Sequence, residues 1–177
     1  MREVLDVEPL AGYPAAIGAW LWAMEAVRRE TILAVEGIDA ATLDWQGPDG
    51  RDNSIGSLLY HIALVEMSWL YEDLKLLRDL PDRLRPDFPW PMTGEGNLTP
   101  VLGVSLTDHL ARLAKSRTAF LADLSETSDE DWRRRRRPAD VAYEVTPAWA
   151  VYHLVEHEAG HLYQIRSIRR RAANRQP

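Results

Sequence analysis

Residues 149–165, WAVYHLVEHEAGHLYQI, place His153, His157 and His161 at intervals of four. An α-helix turns about 100° per residue, so each step of four leaves an imidazole only about 40° round and about 6 Å further along than the last. The apolar side chains agree with a helix: Leu154, Ile165, Val151 and Leu162 fall between about 60° and 140° from His157 on the same projection. The segment therefore requires a fold that covers an apolar helix face lying beside a ridge of imidazoles. His157-Glu158-Ala159-Gly160-His161 also reads HExxH, in which an i, i+4 histidine pair can bind one metal ion with a carboxylate alongside. Two ligands are too few for a protein metal site, so a further His, Asp or Glu must come from elsewhere in the chain.

The chain has no cysteine, which excludes disulfides, thiolate metal sites, iron-sulfur clusters and cysteine nucleophiles, and leaves imidazole and carboxylate as the metal ligands. With 177 residues, 46% apolar and 27% charged, the sequence reads as one soluble globular domain spanning 1–177. A net charge of -6 argues against a nucleic-acid partner. The one basic cluster, Arg133, Arg134, Arg135, Arg136 and Arg137, follows Asp129, Glu130 and Asp131 and reads as a solvated loop with local ion pairs. No apolar run approaches the ~20 residues of a membrane span and the start lacks a signal-peptide core, so a cytoplasmic protein is expected.

Four segments carry helical periodicity. The first runs from Pro14, a first-turn residue, to about residue 36, with Ile17, Trp20, Leu21, Met24, Val27, Ile32 and Val35 on its apolar positions and Gly37 after it. The second spans about 54–77 with Asn53 as cap, the third about 105–125, and the fourth starts at Thr146 (N-cap) and Pro147 (N1) and continues to about 171. Between the second and third, the stretch 79–103 holds Pro81, Pro86, Pro89, Pro91, Pro100, Gly94, Gly96 and Gly103 and reads as a long ordered loop. The expectation is an all-α fold, an antiparallel four-helix bundle with a long Pro/Gly-rich loop between helices 2 and 3.

His61 sits on the second helix at the edge of its apolar arc and is the best third ligand for the pair His157 and His161. His109 shares the arc of Leu106 and Leu113 and reads as core or pocket lining. In an antiparallel bundle the second and fourth helices run the same way. His61 then lies about eight residues into one helix and His157 about ten into the other, within one turn of the same level. That level is nearest the first and third loops, which would bring Trp45 and the arginine run to the mouth. Glu158 projects into the middle of the apolar arc, where a carboxylate needs a partner. It could orient a metal-bound histidine, act as catalytic base, or pair with an arginine; the orienting role is favoured.

Two blocks of residues resemble the DinB/YfiT-like superfamily of small four-helix metalloproteins over nearly the whole chain. Asn53-Ser54-Ile55-Gly56 followed by Leu59, His61-Ile62-Ala63, Glu66 and Trp69 is similar to the family's second helix. Trp149, His153, His157-Glu158, His161 and Gln164-Ile165 are similar to its fourth. The resemblance implies that His61, His157 and His161 are the ligands of a divalent metal ion, zinc or nickel, and that His153 lies outside the ligand set. The sequence departs from many members in having Gly160 where they have another histidine and Tyr163 where they have glycine.

A site of three neutral imidazoles leaves positions open on the ion, and a thiol placed there becomes a better nucleophile. Together with the resemblance this implies a metal-dependent S-transferase or isomerase that uses a low-molecular-weight thiol, such as bacillithiol or mycothiol, on a small electrophile, with Glu158 as orienting group or base. The arginine run could hold the carboxylates of an anionic thiol. A second reading is a non-catalytic metal-binding stress-response module that dimerises through an exposed helix face; a metalloprotease is the third.

Overall fold

The computed structural model describes residue 2 and residues 4–92, 98–139 and 141–174. Gly94 and Gly96 of the expected Pro/Gly-rich loop lie outside the described residues. The fold is all-α: α1 (Ala15–Val35), α2 (Ala40–Leu43), α3 (Ile55–Ser68), α4 (Leu106–Leu124), α5 (Asp129–Arg133) and α6 (Pro147–Ala173). A π-helical turn, Trp69–Leu74, continues α3, and Asp82–Leu84 forms a 3₁₀ turn in the segment that follows. Among the described residues no strand forms, and Arg136 and Val145 make one isolated antiparallel bridge. No described helix is long and apolar enough to cross a membrane.

Polar side chains set the helix starts by accepting otherwise unpaired backbone N–H groups. Ser54 does so for Ser57, Ser105 for Asp108, and Thr146, ahead of Pro147, for Trp149. Ser54, rather than the expected Asn53, caps α3, because the Asn53 carboxamide accepts from the backbone of Leu98 across the connecting segment.

α3 is the central helix: every one of its residues except His61 is buried. It packs against α4 on one side and α6 on the other, and α1 packs along α6. The pairs Tyr60 with Arg112 and Glu66 with Ser116 ascend together, so α3 and α4 are parallel. Trp69 meets Trp149 while His61 meets His157, so α3 and α6 are antiparallel. Trp20 meets Tyr152 and Glu30 meets Arg166, so α1 and α6 are parallel. This corrects the expected helix directions, in which the second and fourth long helices ran the same way. The physical reason is the segment after residue 74, which travels back along the molecule, so that α4 starts level with the start of α3.

The α1 periodicity is right in phase and wrong in detail. Ile17, Leu21, Met24 and Val35 are buried, but Trp20 and Ile32 are 41% and 42% exposed. Arg28 and Thr31 take the inward positions between them.

Gly56 lies where α3 meets a residue of α4 and the segment before it at close range. A Cβ there would stand 3.1 Å from both His109 Nε2 and the Val101 carbonyl oxygen. Neither neighbour can yield: His109 and Val101 are both 0% exposed, and the Val101 amide is held by Ser57 Oγ. Gly56→Ala is therefore expected to destabilise the protein by about 1–3 kcal/mol despite alanine's better helix propensity. At Gly160 an added Cβ meets nothing within 4 Å, so Gly160→Ala is expected to stabilise by about 0.5–1 kcal/mol. Urea denaturation of the two variants checks both signs.

Candidate metal centre

His61 from α3 and His157 and His161 from α6 bring three imidazoles together. Nε2 of His157 lies 3.1 Å from Nε2 of His61 and 3.0 Å from Nε2 of His161. One nitrogen from each ring falls within 4.8 Å of the other two, and among the described residues no carboxylate joins them. The sequence-based trio is thus assembled, though by antiparallel helices. The i, i+4 step on α6 stacks two rings on one face, and the single half-buried position of α3 supplies the third.

The ring nitrogens are suited to a metal ion rather than to protons. Burial, followed by the neighbouring His161, lowers the pKa of His61 to about 4. Burial, then His161, His61 and His153, lowers that of His157 to about 3. Burial also lowers His161, partly offset by Gln164 and Glu158. His161 Nδ1 lies 2.8 Å from Gln164 Oε1 and donates to it, which leaves the Nε2 lone pair facing the cluster. A tetrahedral ion with bonds of about 2.0–2.1 Å holds its ligands about 3.3 Å apart, close to the spacings found here. The donor set therefore fits a borderline divalent cation.

A titration consequence follows for the metal-free protein. Unfolding returns these imidazoles to an ordinary value near 6.5, so between that value and about 4 the unfolded chain binds more protons than the native one. Their stability contribution is complete above the window and is lost as the pH falls through it. The thermal midpoint is expected to drop progressively from about pH 6.5 to about 4, with a shallower slope in a His61→Ala, His157→Ala variant. Part of the slope persists, because burial followed by the charge of Arg112 lowers His109 to about 4 as well.

A cavity of about 550 Å³ opens onto His61 and His157. His153 lines it and is outside the trio; its ring stacks on Trp149 with an interplanar angle of 8° and meets Trp69. Further along the wall, Tyr143 donates to Asp73 at 2.7 Å. Burial, followed by the bond to Asp73, pushes the Tyr143 hydroxyl above the ordinary tyrosine range. Residues of the second and third connections, among them Leu77, Met92 and Pro138, complete the lining. Trp45, expected at the mouth, instead lies under the Arg171 guanidinium near the far end of α6. The arginine run does not line the cavity. Arg134 pairs with Glu130 and Asp131, and Arg135 and Arg137 pair with Glu144, as a solvated loop with local ion pairs. His109 is fully buried in the core beside Arg112.

Glu158 is bonded to arginines and to none of the three imidazoles. Arg28 donates to both its oxygens, at 2.7 and 3.1 Å, and Arg117 donates to Oε2 at 3.1 Å. The same two arginines hold Glu66 at 2.9 and 2.5 Å, with Ser116 at 2.8 Å. Burial alone would raise the Glu66 carboxyl, but Arg117 and Arg28 overcome it and hold the group below the ordinary range. Glu158, expected to orient a ligand or act as base, is placed 2% exposed and paired with two guanidinium groups, the arrangement of an ion-pair partner. The orienting bond belongs to Gln164, one turn beyond His161. Its signal in the sequence was the i, i+3 spacing of His161 and Gln164, which places an amide beside the ring.

A family model described as the DinB superfamily matches residues 23–165, a span that includes all three histidines, Glu66, Glu158 and Gln164. No curated protein matches the chain.

Proposed function

Because the chain belongs to the DinB superfamily, we propose that His61, His157 and His161 bind a divalent metal ion, zinc or nickel, in a single four-helix-bundle domain. The protein then uses the adjoining cavity for S-transfer or isomerisation with a small thiol. The observation that carries this reading is the convergence of three Nε2 atoms, two pairs of them 3.1 and 3.0 Å apart, beside a cavity that His61 and His157 line and that is large enough for small-molecule reactants.

An ion held by three neutral imidazoles keeps a position for a reactant and lowers the pKa of a thiol placed there. The chain's own residues account for the rest. Gln164 fixes the His161 ring so that Nε2 points at the cluster. The ion pairs of Glu158 with Arg28 and Arg117 tie α6 to α1 and α4 immediately beneath His157, holding two of the three ligands in register. Trp69 and His153 give one side of the cavity an aromatic lining, backed by Trp149, on which His153 stacks. In a transfer the thiol sulfur forms a bond to the carbon of the electrophile, the leaving group departs with its electron pair, and the thiol proton passes to solvent.

With its glutamate enclosed by arginines, HExxH has no carboxylate free to serve as the base of a metalloprotease. The test is metal analysis of the purified protein followed by conjugation of a halogenated nitroarene with a panel of thiols, bacillithiol and mycothiol included. One equivalent of zinc or nickel and thiol-selective conjugation are expected. A stoichiometric ion with no conjugation of any thiol would leave a metal-binding module and overturn the transferase.

A further inference from the structure

The cavity beside the histidines has a neighbour. A second chamber of about 420 Å³ lies between the end of α3 and the segment around residues 79–92, with Leu80, Phe88 and Trp90 in its apolar wall. The two chambers share Ser68, Glu72 and Met92. Glu72 thus stands in the partition, its Oε2 accepting a hydrogen bond from Ser68 Oγ at 3.0 Å.

This carboxylate differs from those of Glu66 and Glu158. Glu66 and Glu158 are each neutralised by Arg28 and Arg117. Glu72 forms no ion pair with any described cation, and the charges that act on it are those of Asp73 and Asp79, both negative. Asp73, which lines the first chamber, accepts from Tyr143 and likewise forms no ion pair with a described cation. Arg78 lines the first chamber and Arg85 the second, yet neither pairs with Glu72 or Asp73, and Arg85 is held by Asp82. Inward-facing carboxylates without an ion-pair partner attract a cation into the space they face, and the aromatic wall of the second chamber favours an apolar group beside it.

We infer that the paired chambers bind a molecule in which an aromatic or other apolar group is joined through a short chain to a positively charged nitrogen. The apolar group occupies the chamber of Phe88 and Trp90, and Glu72 is the counter-ion of the nitrogen. This rests on the reading above in taking the chamber beside the three histidines as the reaction site, and it names the class of the second reactant. It also replaces the expected recognition of an anionic thiol by the arginine run, since that run lies outside both chambers.

The experiment is calorimetric titration of the full-length protein with three probes of one shape: 2-phenylethylammonium, 2-phenylethanol and 3-phenylpropionate, with metal content measured on the same sample. The ammonium is expected to bind about tenfold tighter than the alcohol, and the carboxylate more weakly still. Glu72→Gln, which keeps the shape of the partition, is expected to bring ammonium and alcohol within about twofold of each other. Leu80→Trp, which fills the second chamber from its half-buried rim, is expected to weaken the ammonium and the alcohol about tenfold without altering metal content. Equal binding of ammonium and alcohol, an unchanged preference in Glu72→Gln, or unchanged binding in Leu80→Trp would each overturn the inference. Ligation to an ion at the histidines would instead favour the carboxylate probe and be indifferent to Glu72. If the protein holds no metal yet shows the Glu72-dependent preference, the reaction proposed above fails and the binding site stands; if it holds metal and shows no preference, the inference fails alone.

Discussion

Replacing His157 by alanine is expected to lower metal affinity by more than about 100-fold, the largest effect of any single change at the centre. His157 is the middle member of the trio, with Nε2 contacts of 3.1 Å to His61 and 3.0 Å to His161. Its loss leaves two imidazoles with no third donor between them. Gln164→Ala keeps all three ligands and removes only the acceptor that fixes the His161 ring, so a loss of about 10–100-fold is expected. His153→Ala takes away a ring stacked on Trp149 and should leave affinity within about twofold. Competition with a chromogenic chelator orders the three variants. An unchanged stoichiometry and affinity in His157→Ala would remove the metal centre from consideration, and an order with His153 above Gln164 would remove the outer-shell argument.

The pieces of the centre differed in how readable they were from sequence, and each difference has a physical cause. The ridge at His157 and His161 was readable because helical periodicity is local. His61 was readable because it sits at the edge of the helix's apolar arc, and it is the one residue of α3 that is not buried. The direction of α6 relative to α3 was not readable. It depends on how far the segment after residue 74 travels before α4 begins, and loop composition does not encode that. The arginines around Glu158 were missed although their phase was visible. Ile17, Leu21, Met24, Arg28, Thr31 and Val35 recur at three- and four-residue steps and are all buried, so Arg28 occupies a core position. Arg117 stands in the same relation to Leu113, Phe120 and Leu124. A buried Glu158 demanded a cation, and these two helices carried arginines in phase with their apolar rows.

That network yields the largest expected effect on stability. Glu66 is 1% exposed and accepts from Arg28, Arg117 and Ser116, so Glu66→Ala leaves two buried guanidinium groups with their shared partner halved. Breaking a buried ion pair by removing one member costs about 3–5 kcal/mol, because the remaining charge is desolvated without compensation. A loss of that size is expected in urea denaturation of Glu66→Ala. Adding Arg28→Met to the same chain should recover part of it by removing the surplus cation. Acid titration supplies a second readout. The Glu66 carboxyl is held below the ordinary range in the native state, so its stabilisation is present above that range and is lost as the pH falls towards the lowered native value. Glu66→Ala should therefore lose stability chiefly at neutral pH and converge on the wild type in acid. Arg28 and Arg117 reach Glu158 on α6 as well, in the stretch that carries His157 and His161. A folded Glu66→Ala protein whose metal affinity fell as far as that of Gln164→Ala would show that the network positions the ligands as well as stabilising the core; full affinity would confine Glu66 to stability.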